Sequence, residues 1–83
     1  MRLSELPLGE RARFDNDPPA TPLGARLRQL GVRRGETVSC LLSHPAGDPV
    51  LYLVGETAVA MRRRTADGIS VSVAIENKYG EDA

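Results

Sequence analysis

The chain has 83 residues, enough for one domain with a small core. Hydrophobic residues make up 41%, and 11 Lys and Arg balance 11 Asp and Glu, which argues against a general nucleic-acid or membrane-surface binder. One cysteine excludes an internal disulfide and a paired-cysteine metal site, and no apolar run reaches the roughly 18–20 residues of a membrane span.

The first residues, Met1 to Glu5, lack an uninterrupted apolar stretch and soon carry an acid, so they do not read as a signal peptide. A soluble cytoplasmic protein is the expectation. Leu3, Leu6 and Leu8 are apolar around Pro7, which predicts an extended lead-in with one turn at Ser4–Leu6. A first strand follows Gly9 and Glu10. Ala12 and Phe14 face one side of it, Arg11 and Arg13 the other. Residues 15–22 hold three prolines and form a stiff polar loop.

Thr21 suits a helix N-cap, with Pro22 at the first helical position. Leu23, Leu27 and Leu30 then recur at i, i+4 and i+7. Gly24 lowers the helix propensity, so packing must stabilise this segment. Gly31 fits the left-handed residue that ends a helix, with Val32 and Leu27 as its apolar pair. Gly35 suits the next turn.

A second strand is predicted over Glu36–His44, with Val38, Cys40, Leu42 and His44 on one face. Residues 45–49 turn. Val50–Val54 is continuously apolar, which predicts a strand covered on both faces or one with an apolar patch outside. Gly55-Glu56 reads as a hairpin turn, and Thr57–Arg62 returns. Arg63–Gly68 leaves room for one helical turn. The last strand alternates cleanly: Ile69, Val71, Val73 and Ile75 inside, Ser70, Ser72 and Ala74 outside. Short strands, one short helix and glycine turns predict a mainly β fold, a small closed or nearly closed barrel. Its expected core is Phe14, Leu27, Leu30, Val38, Cys40, Val59, Ile69, Val71 and Val73. The domain is expected over residues 1–75, with a polar tail over 76–83.

The pattern holds no catalytic constellation. Cys40 and His44 share a strand face but lie about 13 Å apart at ~3.3 Å per residue, too far to bind one ion. Cys40 reads as a core cysteine and His44 as a turn residue. Asp15, Asp17 and Asp48 lie in loops and read as turn formers rather than ligands of a hard cation. The strand serines have no histidine base, and no phosphate-binding loop occurs. No cofactor and no metal are expected. Three aromatic residues, Phe14, Tyr52 and Tyr79, are too few for a base-stacking platform, so no nucleic-acid partner is expected either. What remains is docking. Arg26, Arg28, Arg33 and Arg34 on the helix and its following turn, beside outward Leu51 and Leu53, make the candidate partner surface. Arg62-Arg63-Arg64 is a second basic patch. Oligomeric state is left open by these residues.

Six segments in order carry a family likeness: Leu3–Gly9, Arg26–Val32, Gly35–Val38, Gly47–Val50, Ala60–Arg63 and Ile69–Val71. Together they resemble the FeoA family, small accessory proteins of bacterial ferrous iron uptake. The resemblance covers roughly Leu3 to Val73. It implies an SH3-like β-barrel with an early inserted helix. It also implies a cytosolic partner of FeoB, the membrane ferrous iron permease, with no insertion in the membrane itself. The same fold forms the C-terminal domain of diphtheria-toxin-repressor-type regulators, so a free-standing metal- or ligand-sensing domain stays open as the alternative. The chain departs from the family pattern at Arg28-Gln29, at Arg33-Arg34, in the proline-rich loop and in the tail.

Overall fold

The computed structural model describes residues 1–43 and 45–73. A 3₁₀ turn, Leu3–Glu5, leads into β1 (Arg11–Phe14) and helix α1 (Pro22–Gln29). Strands β2 (Thr37–Ser43), β3 (Val50–Val54) and β4 (Thr57–Met61) follow, then α2 (Arg63–Asp67) and β5 (Val71–Val73). Every strand pair is antiparallel, and the order across the sheet is β4-β3-β2-β1-β5. The architecture is mainly β, with one helix inserted early and a helical turn before the last strand, as the sequence predicts. The two end strands, β4 and β5, are joined through α2.

Local chemistry accounts for the helix and its ends. The Thr21 hydroxyl accepts from the Gly24 N–H at 3.0 Å, and Pro22 starts the helix. At the far end Gly31 takes φ +100°. Its N–H donates to the Arg28 carbonyl, and the Val32 N–H donates to the Leu27 carbonyl, both at 3.0 Å. These are the two bonds of a Schellman stop. Leu27 and Val32 are both buried in the core. The β3–β4 connection is a two-residue turn with Gly55 at φ +59° and Glu56 outside the left-handed region, the type II′ hairpin pattern.

The core joins the inner faces of all five strands to α1, α2 and the lead-in. Phe14, Leu27, Val38, Cys40, Val59 and Val71 are buried as expected, and Leu30 and Ile69 pack partly buried against them. Val73 does not belong: it is 46% exposed. It lies at the end of an outer strand, opposite Ala12, whose methyl is too small to cover it. Leu42 is a second correction. The β2–β3 register shifts between Cys40 and Leu42, so Leu42 pairs with Leu51 and joins the outer face, 60% exposed. Strict alternation had placed it inside; a bulge inserts one residue and reverses the faces beyond it.

The sequence reading also left out much of the core. On β3, Val50, Tyr52 and Val54 point inward and are buried, while Leu51 and Leu53 are half-buried on the outer face. Leu3 and Leu6 are buried as well, because the lead-in is anchored rather than loose. The Leu3 N–H donates to the Ile69 carbonyl at 2.8 Å. The Ser4 hydroxyl donates to the Asp67 carboxylate, fixing the 3₁₀ turn to α2. The expected inward Ile75 and the tail 76–83 lie outside the described residues.

Candidate docking surface

Several titratable groups are held in hydrogen bonds that fasten the fold. Cys40 is buried, and burial pushes its thiol up, away from the reactive thiolate. Asp15 accepts from the hydroxyls of Ser70 and Ser72 at 2.6 Å each. Those hydrogen bonds hold its carboxyl below the usual aspartate range. The Asp17 carboxylate accepts from the Arg34 N–H at 2.9 Å, and the Asp48 carboxylate from the Arg63 N–H at 3.0 Å. Asp17 and Asp48 therefore tie their loops to backbone distant in sequence rather than bonding their own turns, and Asp15 ties the end of β1 to β5. The three serve separate partners. Among the described residues no group of three or more His, Cys, Asp and Glu side chains is gathered. His44 lies outside the described residues.

The arginines divide into two settings. Arg28 donates from Nη1 to the Pro18 carbonyl at 2.9 Å, fastening α1 to the proline-rich loop. The Arg34 backbone is held by Asp17 in the same loop, and the Arg33 carbonyl accepts from the Glu36 N–H at 3.0 Å. Arg33 and Arg34 keep exposed side chains above that turn. Arg26 sits elsewhere. It lines a groove of about 520 Å³ between α1 and β4, with Leu23, Leu30, Ala58, Ala60 and Arg62. Leu51 pairs with Ala60 and Leu53 with Ala58, so these leucines lie on the outer sheet face next to β4. The structure thus brings Arg28, Arg33 and Arg34 to the proline-rich loop, and Arg26 to the β4 side. The groove escaped the sequence reading. Its signal was the alternation of small Ala58 and Ala60 with Val59 and Met61 just after a tight turn.

Comparison with known proteins gives this surface a context. The sequence model of the FeoA domain matches residues 1–73. The FeoA protein of Chlorobium tepidum is 33% identical and superposes with a TM-score of 0.84, covering 94% of this chain and 74% of that one. FeoA of Stenotrophomonas maltophilia, solved with zinc and described as a prokaryotic SH3-domain protein, is 36% identical with a TM-score of 0.74, over 87% of this chain and 89% of that one. A curated relative from Porphyromonas gingivalis is a fusion of Fe(2+) transport protein A with the Fe(2+) transporter FeoB. It is 31% identical over 83 residues, all of this chain and 10% of the fusion's length. The chain belongs to the FeoA family of small domains linked to ferrous iron transport, and its fold is SH3-like.

Proposed function

We propose that the chain is a cytosolic accessory protein of bacterial ferrous iron uptake that docks on the cytoplasmic part of a FeoB-type transporter and affects its assembly or activity. The observation that carries this reading is the fusion relative, in which the matching segment and a FeoB transporter share one polypeptide. A covalent link gives two parts a high effective concentration; a separate chain reaches the same end through a binding surface. No helix of the described residues is long and apolar enough to cross a membrane, which suits a partner that meets its transporter from outside the bilayer. The proposed docking surface has two parts: Arg28, Arg33 and Arg34 at the proline-rich loop, and Arg26 on the β4 side, where the outer leucines Leu51 and Leu53 pair with Ala60 and Ala58. Arginine beside exposed apolar area is the usual composition of a hot spot.

The test is binding of the purified chain to the soluble cytoplasmic part of the transporter from the same cell. Saturable binding is expected. Arg28→Glu combined with Arg33→Glu should weaken it more than tenfold, about 1.4 kcal/mol, with a modest fall in melting temperature from the lost Arg28–Pro18 bond. Equal binding by the folded double variant moves the surface elsewhere. No binding by the unaltered chain overturns the reading.

A further inference from the structure

We propose that the free edge of β4, at Ala58 and Ala60 between Arg26 and Arg62, receives an extended acidic segment of the partner protein as a sixth strand. This rests on the docking reading above and specifies the kind of segment that docks.

The backbone supplies the template. A two-residue hairpin makes Val54–Thr57 a hydrogen-bonded pair, and such pairs alternate along an antiparallel ladder. Tyr52–Val59 and Val50–Met61 are then the next bonded pairs. The N–H and C=O groups of Ala58 and Ala60 consequently point away from β3. β4 is at the end of the sheet, so among the described residues no strand meets them. Edges are commonly blunted by proline, charge or a bulge. Thr57–Met61 carries neither proline nor charge, and its pairing with β3 is unbroken. The methyl side chains of Ala58 and Ala60 are exposed and leave room for another backbone to approach. Helix α1 does not fill this space; the groove lies between it and β4.

The lining chooses the occupant. Among the described residues Arg26 and Arg62 are its charged members, and no acidic residue lines it. Among the described residues neither arginine has an acidic partner. Leu23, half exposed, and Leu30 offer apolar contact to alternate side chains of an added strand. A segment with carboxylates and apolar residues in alternation satisfies both features. A second copy of this chain fits less well: its Thr57–Met61 edge carries no carboxylate, and pairing about a twofold axis at Val59 brings only Glu56 opposite Arg62.

The probe is a decapeptide of alternating Val and Glu, blocked at both ends, titrated into the ¹⁵N-labelled chain. The Ala58 and Ala60 amide signals should shift, and their exchange with solvent should slow at least tenfold at saturation. The corresponding Val–Lys peptide should do neither. Arg26→Glu with Arg62→Glu should reverse that preference. Ala60→Pro removes an outward N–H at an edge position that tolerates proline, and should abolish binding. If that variant does not fold, the charge reversal decides alone. Shifts confined to Arg33 and Arg34, or concentration-dependent dimerisation through β4 without peptide, overturn the proposal. Folded Ala60→Pro that binds the transporter's cytoplasmic part as tightly as the unaltered chain sinks the edge proposal and leaves the docking reading standing. Peptide binding at β4 by a chain that does not bind the transporter does the reverse.

Discussion

The Tyr52 hydroxyl donates to the Leu3 carbonyl oxygen at 3.3 Å, joining the middle of β3 to the 3₁₀ turn 49 residues earlier. Both residues are buried, Tyr52 at 1% exposure and Leu3 at 0%. A buried phenol needs a partner for its proton, and this carbonyl supplies it. The contact holds the lead-in over the inner face of the sheet and covers the core there.

Replacing Tyr52 by Phe should cost about 0.5–1 kcal/mol, the low end for a lost hydrogen bond. The Leu3 carbonyl keeps a second donor, the Leu6 N–H at 3.0 Å. Burial pushes the Tyr52 phenol up to about 12, with the neighbouring Cys40 as a smaller cause. The fold therefore favours the neutral phenol. That stabilisation is complete below the ordinary tyrosine value near ~10 and is lost as pH rises through the folded value. Denaturant titrations at pH 7 and in the range 10–12 should show the unaltered chain losing its advantage over Tyr52→Phe at the alkaline end. A constant difference across that range rejects the linkage.

The two valines of β5 should behave oppositely although they are two residues apart. Val71 is fully buried against the core and Val73 is 46% exposed. Val71→Ala should cost about 1–3 kcal/mol through lost burial and a residual cavity, and Val73→Ala less than about 0.5 kcal/mol. Chemical denaturation of the two variants side by side checks this. Equal costs would mean that Val73 is covered in solution.

Much of this fold was legible because the chain punctuates itself. Thr21-Pro22 and Gly31-Val32 mark both ends of α1, and Gly55-Glu56 marks the hairpin, so the helix and four of the strands fell close to their predicted spans. What escaped depends on contacts distant in sequence. Nothing local shows that the lead-in packs across β3, so Leu3 and Tyr52 were not placed in the core. The β2 bulge after Cys40 has no glycine to announce it, and Leu42 was assigned to the wrong face. At the candidate site, composition picked out the arginines, but it did not show that Arg28 spends its guanidinium on the Pro18 carbonyl. The β4 edge was invisible because strand order, not strand identity, makes an edge.

Gly24 shows the same limit and gives a further prediction. In an exposed helix Gly→Ala would stabilise by about 1 kcal/mol. Here a Cβ on residue 24 would stand 1.8 Å from the Pro19 carbonyl oxygen, a backbone atom of the proline-rich loop. The helix rests directly on that loop and requires the missing side chain. Gly24→Ala should destabilise the chain by about 2–3 kcal/mol, as overpacking against backbone does. Thermal and denaturant unfolding read this directly. A gain in stability would show that the loop yields freely.

The last prediction concerns acid. Asp15 accepts from both Ser70 and Ser72, so β1 and β5 are fastened by a carboxylate as well as by their ladder. These bonds favour the ionised carboxylate and lower its folded pKa, the Ser70 bond contributing most. A depressed carboxylate contributes stability above the unfolded value near ~3.9, and that contribution is lost as pH falls through the folded value. Asp15→Asn keeps the shape but removes the charge and one acceptor oxygen. It should melt below the unaltered chain near neutral pH. The gap should narrow steadily as pH drops below about 4, because the protonated aspartic acid then resembles the amide. Melting curves of both proteins from pH 7 to pH 2.5 measure this gap. A gap that stays constant down to the lowest pH means that the Ser70 and Ser72 bonds do not depend on the charge of Asp15.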